Sequence, residues 1–89
     1  MHLSIYSIEE TLFEGKVESI SLPTPLGEIT ILENHLPIIS LINPGEIRFI
    51  LENNQQKSFR FPGGIVEVRP ESEVVILQQE VNNVVEKQQ

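Results

Sequence analysis

Two histidines, seven serines and thirteen glutamates are the candidates in this sequence for nucleophilic, acid–base or metal chemistry. The first to weigh is His35, which stands in LPTPLGEITILENHLPIISLINPG, Leu22 to Gly45, between two apolar runs and directly behind an acidic loop. Hydrolysis of the Ser/His/acid type needs a nucleophile beside a base that an acid orients. The other histidine, His2, is at the terminus, and none of the serines sits in a nucleophile elbow. The carboxylate pairs Glu9-Glu10 and Glu71/Glu73 fall beside strand ends and turns, where solvated charge is the expectation. Gly63-Gly64 follows a proline and precedes a strand, without the Lys-Ser/Thr and helix of a phosphate loop. The pair reads instead as a turn, or as backbone that something approaches closely. A lone imidazole without the usual ligand spacings is no metal site. No catalytic, cofactor-binding or metal-ligating residue is assigned. His35 keeps two readings. It is a loop histidine bonded to nearby backbone, or it belongs to a contact surface for which Leu36, Pro37, Ile38 and Ile39 supply an apolar cluster.

The elements that would position these residues are strands. Prolines and glycines cut the chain into short pieces, with no helical length before the tail. Leu3 and Ile5, Ile20 and Leu22, Ile29 and Ile31, Ile47, Phe49 and Leu51, and Phe59 and Phe61 repeat with period two, each set marking the covered face of a strand. Glu52–Lys57 reads as a hairpin loop, and the turn around Arg69 to Glu73 joins two further strands. One sheet would leave its apolar face wet, so two must face each other. The expected fold is all-β: a small antiparallel β-sandwich or flattened barrel of about 8 to 10 short strands over residues 1–78. Residues 79–89 form a tail in which Val81, Val84 and Val85, three and four apart, suggest a short helical stripe.

Composition narrows the function. The chain has 89 residues, 39% of them hydrophobic, and no cysteine, so it is one domain with a lean core and no disulfide or thiolate scaffold. Its net charge is -7, and its six basic residues are scattered among carboxylates. That distribution argues against nucleic acid and against anionic lipid. No apolar run approaches the roughly 20 residues of a membrane span, and MHLSIYSIEE lacks the features of a signal peptide. Any membrane association must run through other proteins.

Along nearly its whole length the chain resembles the amino-terminal β-sandwich domain of the epsilon subunit of F-type ATP synthase, called delta in mitochondria. The matching residues are Phe13, Gly15 and Val17 of a Phe-x-Gly-x-Val segment, and Gly27, Glu28, His35, Pro37, Pro44 and Gly45 of a Gly-Glu, His-x-Pro-Leu and Pro-Gly pattern. Gly63, Gly64, Glu67 and Val68 complete a Gly-Gly-x-x-Glu-Val stretch. The resemblance implies a non-catalytic central-stalk subunit without cofactor, linking the gamma subunit to the membrane c-ring and coupling proton-driven rotation to ATP synthesis. By position, His35, Leu36, Pro37 and Ile38 would face gamma, and Leu26, Gly27 and Glu28 the c-ring, with a transient contact to the beta subunit. The implied place is the cytoplasmic side of the bacterial plasma (inner) membrane, held peripherally. In the family, two long helices that restrain ATP hydrolysis follow this domain; QQEVNNVVEKQQ stands in their place, so helix-mediated inhibition is not expected. The competing class is a free-standing ligand-binding or enzymatic barrel of the cupin kind, which would need an enclosed cavity with clustered inward histidines. A generic protein-interaction sandwich shares the fold and differs only in partner.

Overall fold

The computed structural model describes residues 1–79. The helical stripe expected at Val81, Val84 and Val85 lies outside the described residues. Eight strands form, each bounded by the turn chemistry the sequence supplies: β1 (His2–Tyr6), β2 (Thr11–Thr24), β3 (Gly27–Leu32), β4 (Ile38–Ile42), β5 (Gly45–Leu51), β6 (Gln56–Phe61), β7 (Gly64–Arg69) and β8 (Glu73–Gln78). They curl into two facing layers that share β2. Its first half pairs with β1, and its second half with β3 and β5. The first layer runs β4-β7-β8-β1-β2 and the second β3-β2-β5-β6. The register of β2 against β5 shifts between Val17 and Ser19, where the strand turns from one layer into the other. Its far end reaches across to the opposite edge of the first layer, where the Asn43 N–H donates to the Pro23 carbonyl at 2.9 Å.

All ladders are antiparallel except β1 with β8, which run parallel with His2 opposite Glu73 and Tyr6 opposite Leu77. A parallel pair needs a long crossover, and β2 to β7 supply it. This single exception to the antiparallel expectation places β1 inside the first layer, between β8 and β2.

The period-two residues meet between the layers. Leu3, Ile5, Val17, Ile20, Leu22, Ile31, Ile47, Phe49, Val66, Val74 and Ile76 are each under 2% exposed, which fills the interior with aliphatic side chains from both sheets. Phe49 links the aromatic end of this core: its ring centroid lies 4.6 Å from Phe13 and 6.1 Å from Phe59, and Phe59 is 6.5 Å from Phe61. These separations are in the range where tilted and edge-to-face rings attract. A filled interior leaves no lumen of the kind a cupin-like barrel requires.

Gly63-Gly64 fulfils both readings drawn from it. Gly63 has a left-handed φ of +107°, and its carbonyl accepts the Gln79 N–H at 2.7 Å. A side chain at Gly64 would run into the carbonyl oxygen of Leu77 on β8.

Candidate partner-docking surfaces

Each layer has one inward and one outward face, and the registers put the outward residues into rows. On the second layer the rows read Glu28, Pro23, Glu46, Arg60; then Thr30, Ser21, Arg48, Ser58; then Leu32, Ser19, Ile50, Gln56. This face is polar. Ser21 and Thr30 share a hydroxyl hydrogen bond of 3.0 Å, and Arg48 bridges to Glu28.

The first layer is built the other way. Leu41, Ile65, Leu77 and Tyr6 stand side by side on β4, β7, β8 and β1, and the next row is Ile39, Glu67, Val75, Ser4. Ile39, Leu41, Ile65 and Leu77 are 74, 61, 42 and 51% exposed. Scattered exposed aliphatics are ordinary, whereas a contiguous apolar row is what a protein partner covers; the Glu67–Arg69 pair lies beside that row. Two shallow depressions of about 350 and 400 Å³ mark it, sharing Ile39, Glu67 and Arg69. Within them Arg69 holds Glu67 at 3.2 Å, and this carboxylate raises the Arg69 pKa further.

His35 stands on the β3–β4 loop, two residues before Pro37, which lines one of these depressions. Asn34, at a left-handed φ of 66°, turns the chain, and the His35 N–H donates to the Leu32 carbonyl at 3.1 Å. Its ring Nδ1 lies 2.7 Å from the Leu36 carbonyl oxygen. That oxygen can only accept, so Nδ1 carries a proton. The imidazole is half-buried and Leu36 beside it is 78% exposed. His35 is therefore bonded to its own loop, the first of the two readings drawn from the sequence.

The loop is fastened from behind. The Met1 ammonium donates to the Val17 carbonyl at 3.0 Å and to Glu33 Oε1 at 2.9 Å. The Ser72 hydroxyl, and after it this ammonium, hold the Glu33 carboxyl below the usual carboxylate range. A carboxyl with a depressed folded pKa contributes stability above its unfolded value, and that contribution disappears as pH falls through the folded value. Glu33→Gln is therefore expected to lower the melting temperature slightly at neutral pH and to flatten its fall below about pH 4.5, so that the two chains converge in acid. Thermal scans of both chains across that range check it; parallel curves would show that Glu33 does not fasten the loop.

Of the other sequence-selected residues, Ile38 turns inward and packs against the core, Pro37 is exposed, Leu26 lies in the β2–β3 turn, and Gly27 and Glu28 open β3 beside it. There the Thr24 hydroxyl donates to the Gly27 carbonyl at 2.7 Å and accepts the Leu26 N–H at 3.2 Å. With Pro25 fixing its own φ, the turn is stiff and presents Leu26 98% exposed, with Glu28 beside it. Six residues of β3 separate Leu26 from the His35 loop, roughly 20 Å of strand. The structure thus keeps the two candidate groups apart, at opposite ends of β3. Sequence reasoning missed Leu41, Ile65, Leu77 and Tyr6. The available signal was that IISLI, GIVEVR and EVVILQ carry apolar residues at both parities, the mark of a strand covered on two faces. Among the described residues no three His, Asp or Glu side chains could jointly hold a metal ion, and no helix is long and apolar enough to cross a membrane.

Residues 1–84 match the family described as "ATP synthase, Delta/Epsilon chain, beta-sandwich domain". The chain belongs to this family. Similar curated proteins are the "ATP synthase epsilon chain" of Bordetella parapertussis, 36% identical over 76 residues, and that of Legionella pneumophila strain Corby, 39% identical over 69. The alignments cover 85% and 78% of this chain but 54% and 49% of those proteins, so the chain spans about half the length of the curated relatives it matches. Among solved structures, a chain in the Euglena gracilis mitochondrial ATP synthase, OSCP/F1/c-ring, superposes with a TM-score of 0.82 at 23% identity. That match covers 88% of this chain and 49% of the other. One in the central stalk/c-ring of the Tetrahymena thermophila enzyme gives 0.75 at 17%, covering 90% and 63%. At these identities the superpositions establish the fold of this delta/epsilon-type sandwich.

Proposed function

We propose that this chain is a non-catalytic rotor subunit of an F-type ATP synthase, joining the gamma subunit to the c-ring so that ion-driven ring rotation turns the stalk. It acts as a rigid coupling and needs no cofactor. The observation that carries the reading is the contrast between the two outer faces: one polar, the other apolar across four strands. A lasting contact with a protein wants an apolar, desolvated centre with polar groups at its margin. The face of β4, β7, β8 and β1, with the loop of His35 and Leu36 leading into it, is assigned to gamma. Membership of the delta/epsilon family supports that partner.

The β2–β3 turn is assigned to the polar loops of the c-ring. Leu26 supplies an apolar tip on a preordered turn, and Glu28 supplies charge for steering basic loop residues with little ordering cost. In this reading the subunit sits on the cytoplasmic side of the bacterial plasma membrane, held by protein contacts alone, and touches the beta subunit transiently. Calorimetric titration with purified gamma and co-sedimentation with detergent-solubilised c-ring test the assignment; a folded chain that recovers neither partner refutes it. Glu28→Gln is expected to weaken c-ring association about two- to fivefold and to make it less sensitive to salt, as rim charges do. Identical salt titrations of the two chains would remove Glu28 from that contact.

A further inference from the structure

We propose that the open edge of β6 takes up an extended segment of a partner protein as an added antiparallel strand, selecting an apolar residue followed two positions later by an acidic one. The inference stands apart from the rotor assignment.

The backbone is the first support. β6 ends the second layer, with no strand beyond it among the described residues. The Leu51 N–H donates to the Gln55 carbonyl at 2.9 Å, so a hydrogen-bonded pair closes the β5–β6 hairpin. Bonded and non-bonded pairs alternate along an antiparallel ladder, and the register then makes Phe49–Lys57 and Ile47–Phe59 the bonded ones. The N–H and C=O groups of Gln56, Ser58 and Arg60 therefore point away from β5 toward the open edge. Their spacing, every second residue, is the one an added strand needs.

The second support lies on the inner side of that edge. Lys57 stands opposite the buried Phe49, so its side chain leaves the sheet on the core side, as those of Phe59 and Phe61 do. There the aromatic end of the core opens into a depression of about 540 Å³, walled by Phe13, Phe49 and Phe59 with Leu12 and Lys57 at its sides. No carboxylate lines it, and Lys57 joins no ion pair among the described residues.

Charge is the third. Among the eight described strands β6 alone carries Lys or Arg without Asp or Glu, in a chain of net charge -7. Residues directly opposite on neighbouring strands share a face. An apolar residue opposite Phe59 enters the aromatic depression, the next faces outward opposite Ser58, and the third, an acid, meets the Lys57 ammonium. Arg60 already has Glu46 opposite it on β5 and asks for no acid.

The probe is the synthetic peptide acetyl-Thr-Ser-Phe-Thr-Glu-Ser-Thr-amide, titrated into the full chain and followed by amide shifts in NMR spectra. Saturable shifts are expected at Ser58 and Arg60; none up to the solubility of the peptide overturns the site. Methylating the N–H of the central Thr, which would donate to the Ser58 carbonyl, should cost at least about tenfold in affinity. Methylating the Phe N–H, which points away from β6, should cost less than about twofold; equal effects overturn strand addition. Lys57→Glu should weaken binding at least about tenfold, and a peptide with Lys in place of its Glu should recover it. Failure of that exchange removes Lys57 from the site. An inward lysine on an edge also deters pairing between copies: a Lys57→Ala chain that self-associates while the parent binds no peptide would make Lys57 an edge guard and overturn the proposal. Binding of octanoate in the depression without binding of the peptide would overturn it too.

Discussion

A chain carrying Leu41→Asp together with Ile65→Asp is expected to lose at least about 100-fold in affinity for gamma while keeping its fold. The two residues face each other across β4 and β7, 61 and 42% exposed, in the middle of the apolar row. Covering a side chain of this size contributes about 1.5–3 kcal/mol, and a carboxylate left unpaired in a dry contact costs several kcal/mol more. Since 1.4 kcal/mol is tenfold in affinity, two such replacements exceed the stated loss even if half the burial is already incomplete. Within the free domain the change is small. Both positions already meet water, and the added cost is repulsion between like charges directly opposite on neighbouring strands, roughly 0.2–1 kcal/mol. The matched control is Thr30→Asp with Ser58→Asp on the polar face, which should leave gamma binding unchanged. Calorimetry gives the affinities and thermal unfolding the stability; full affinity in the Leu41/Ile65 variant would remove this face from the contact.

The choice of residues matters. Ile38, adjacent in sequence to the exposed Ile39, packs against the core. An aspartate there would weaken binding by unfolding the sandwich, which says nothing about docking. Of His35, Leu36, Pro37 and Ile38, only Ile38 lies on β4, where alternation turns it toward the core and Ile39 outward. The contact surface proposed above runs across strands, through residues far apart in the chain.

That difference explains what could be read from the sequence. Period-two alternation in Leu3/Ile5, Ile20/Leu22 and Ile47/Phe49 named core residues correctly, because polar residues at the other parity decide which side is wet. IISLI, GIVEVR and EVVILQ hold apolar residues on both sides, so periodicity alone cannot say which set is inside. The answer came only with register: Leu41 opposite Ile65, Ile65 opposite Leu77, Leu77 opposite Tyr6. The shared strand was hidden for a related reason. TLFEGKVESISLPT has its register shift at the position where one layer gives way to the other, so its two halves look like separate short strands. The parallel β1–β8 ladder leaves no local signal at all, since parallel partners need not be close in sequence.

Gly64→Ala is expected to destabilise the domain by about 3 kcal/mol or more, a large share of the 5–15 kcal/mol that holds a typical small domain. Its backbone angle is not the cause, since Gly63, not Gly64, takes the left-handed conformation. The cause is the Leu77 carbonyl oxygen, which occupies the space a methyl group at Gly64 would need and which, as backbone, cannot swing away like a flexible side chain. To admit the methyl, β7 and β8 must separate at their Gly64–Gln78 end, straining the bond from Gln79 to Gly63 as well. The same opening would shift Leu77 relative to Ile65 within the apolar row, so gamma binding should fall further than the unfolded fraction alone accounts for. Gly63→Ala meets a different obstacle, a positive φ with the Ile42 carbonyl 3.1 Å from the new methyl. It should cost less, about 1–3 kcal/mol, since one strained dihedral is cheaper than a displaced ladder. Urea unfolding of the two variants beside the parent measures both. If Gly64→Ala were as stable as the parent, the close approach of β8 to Gly64 would not be what fixes the edge of the docking face.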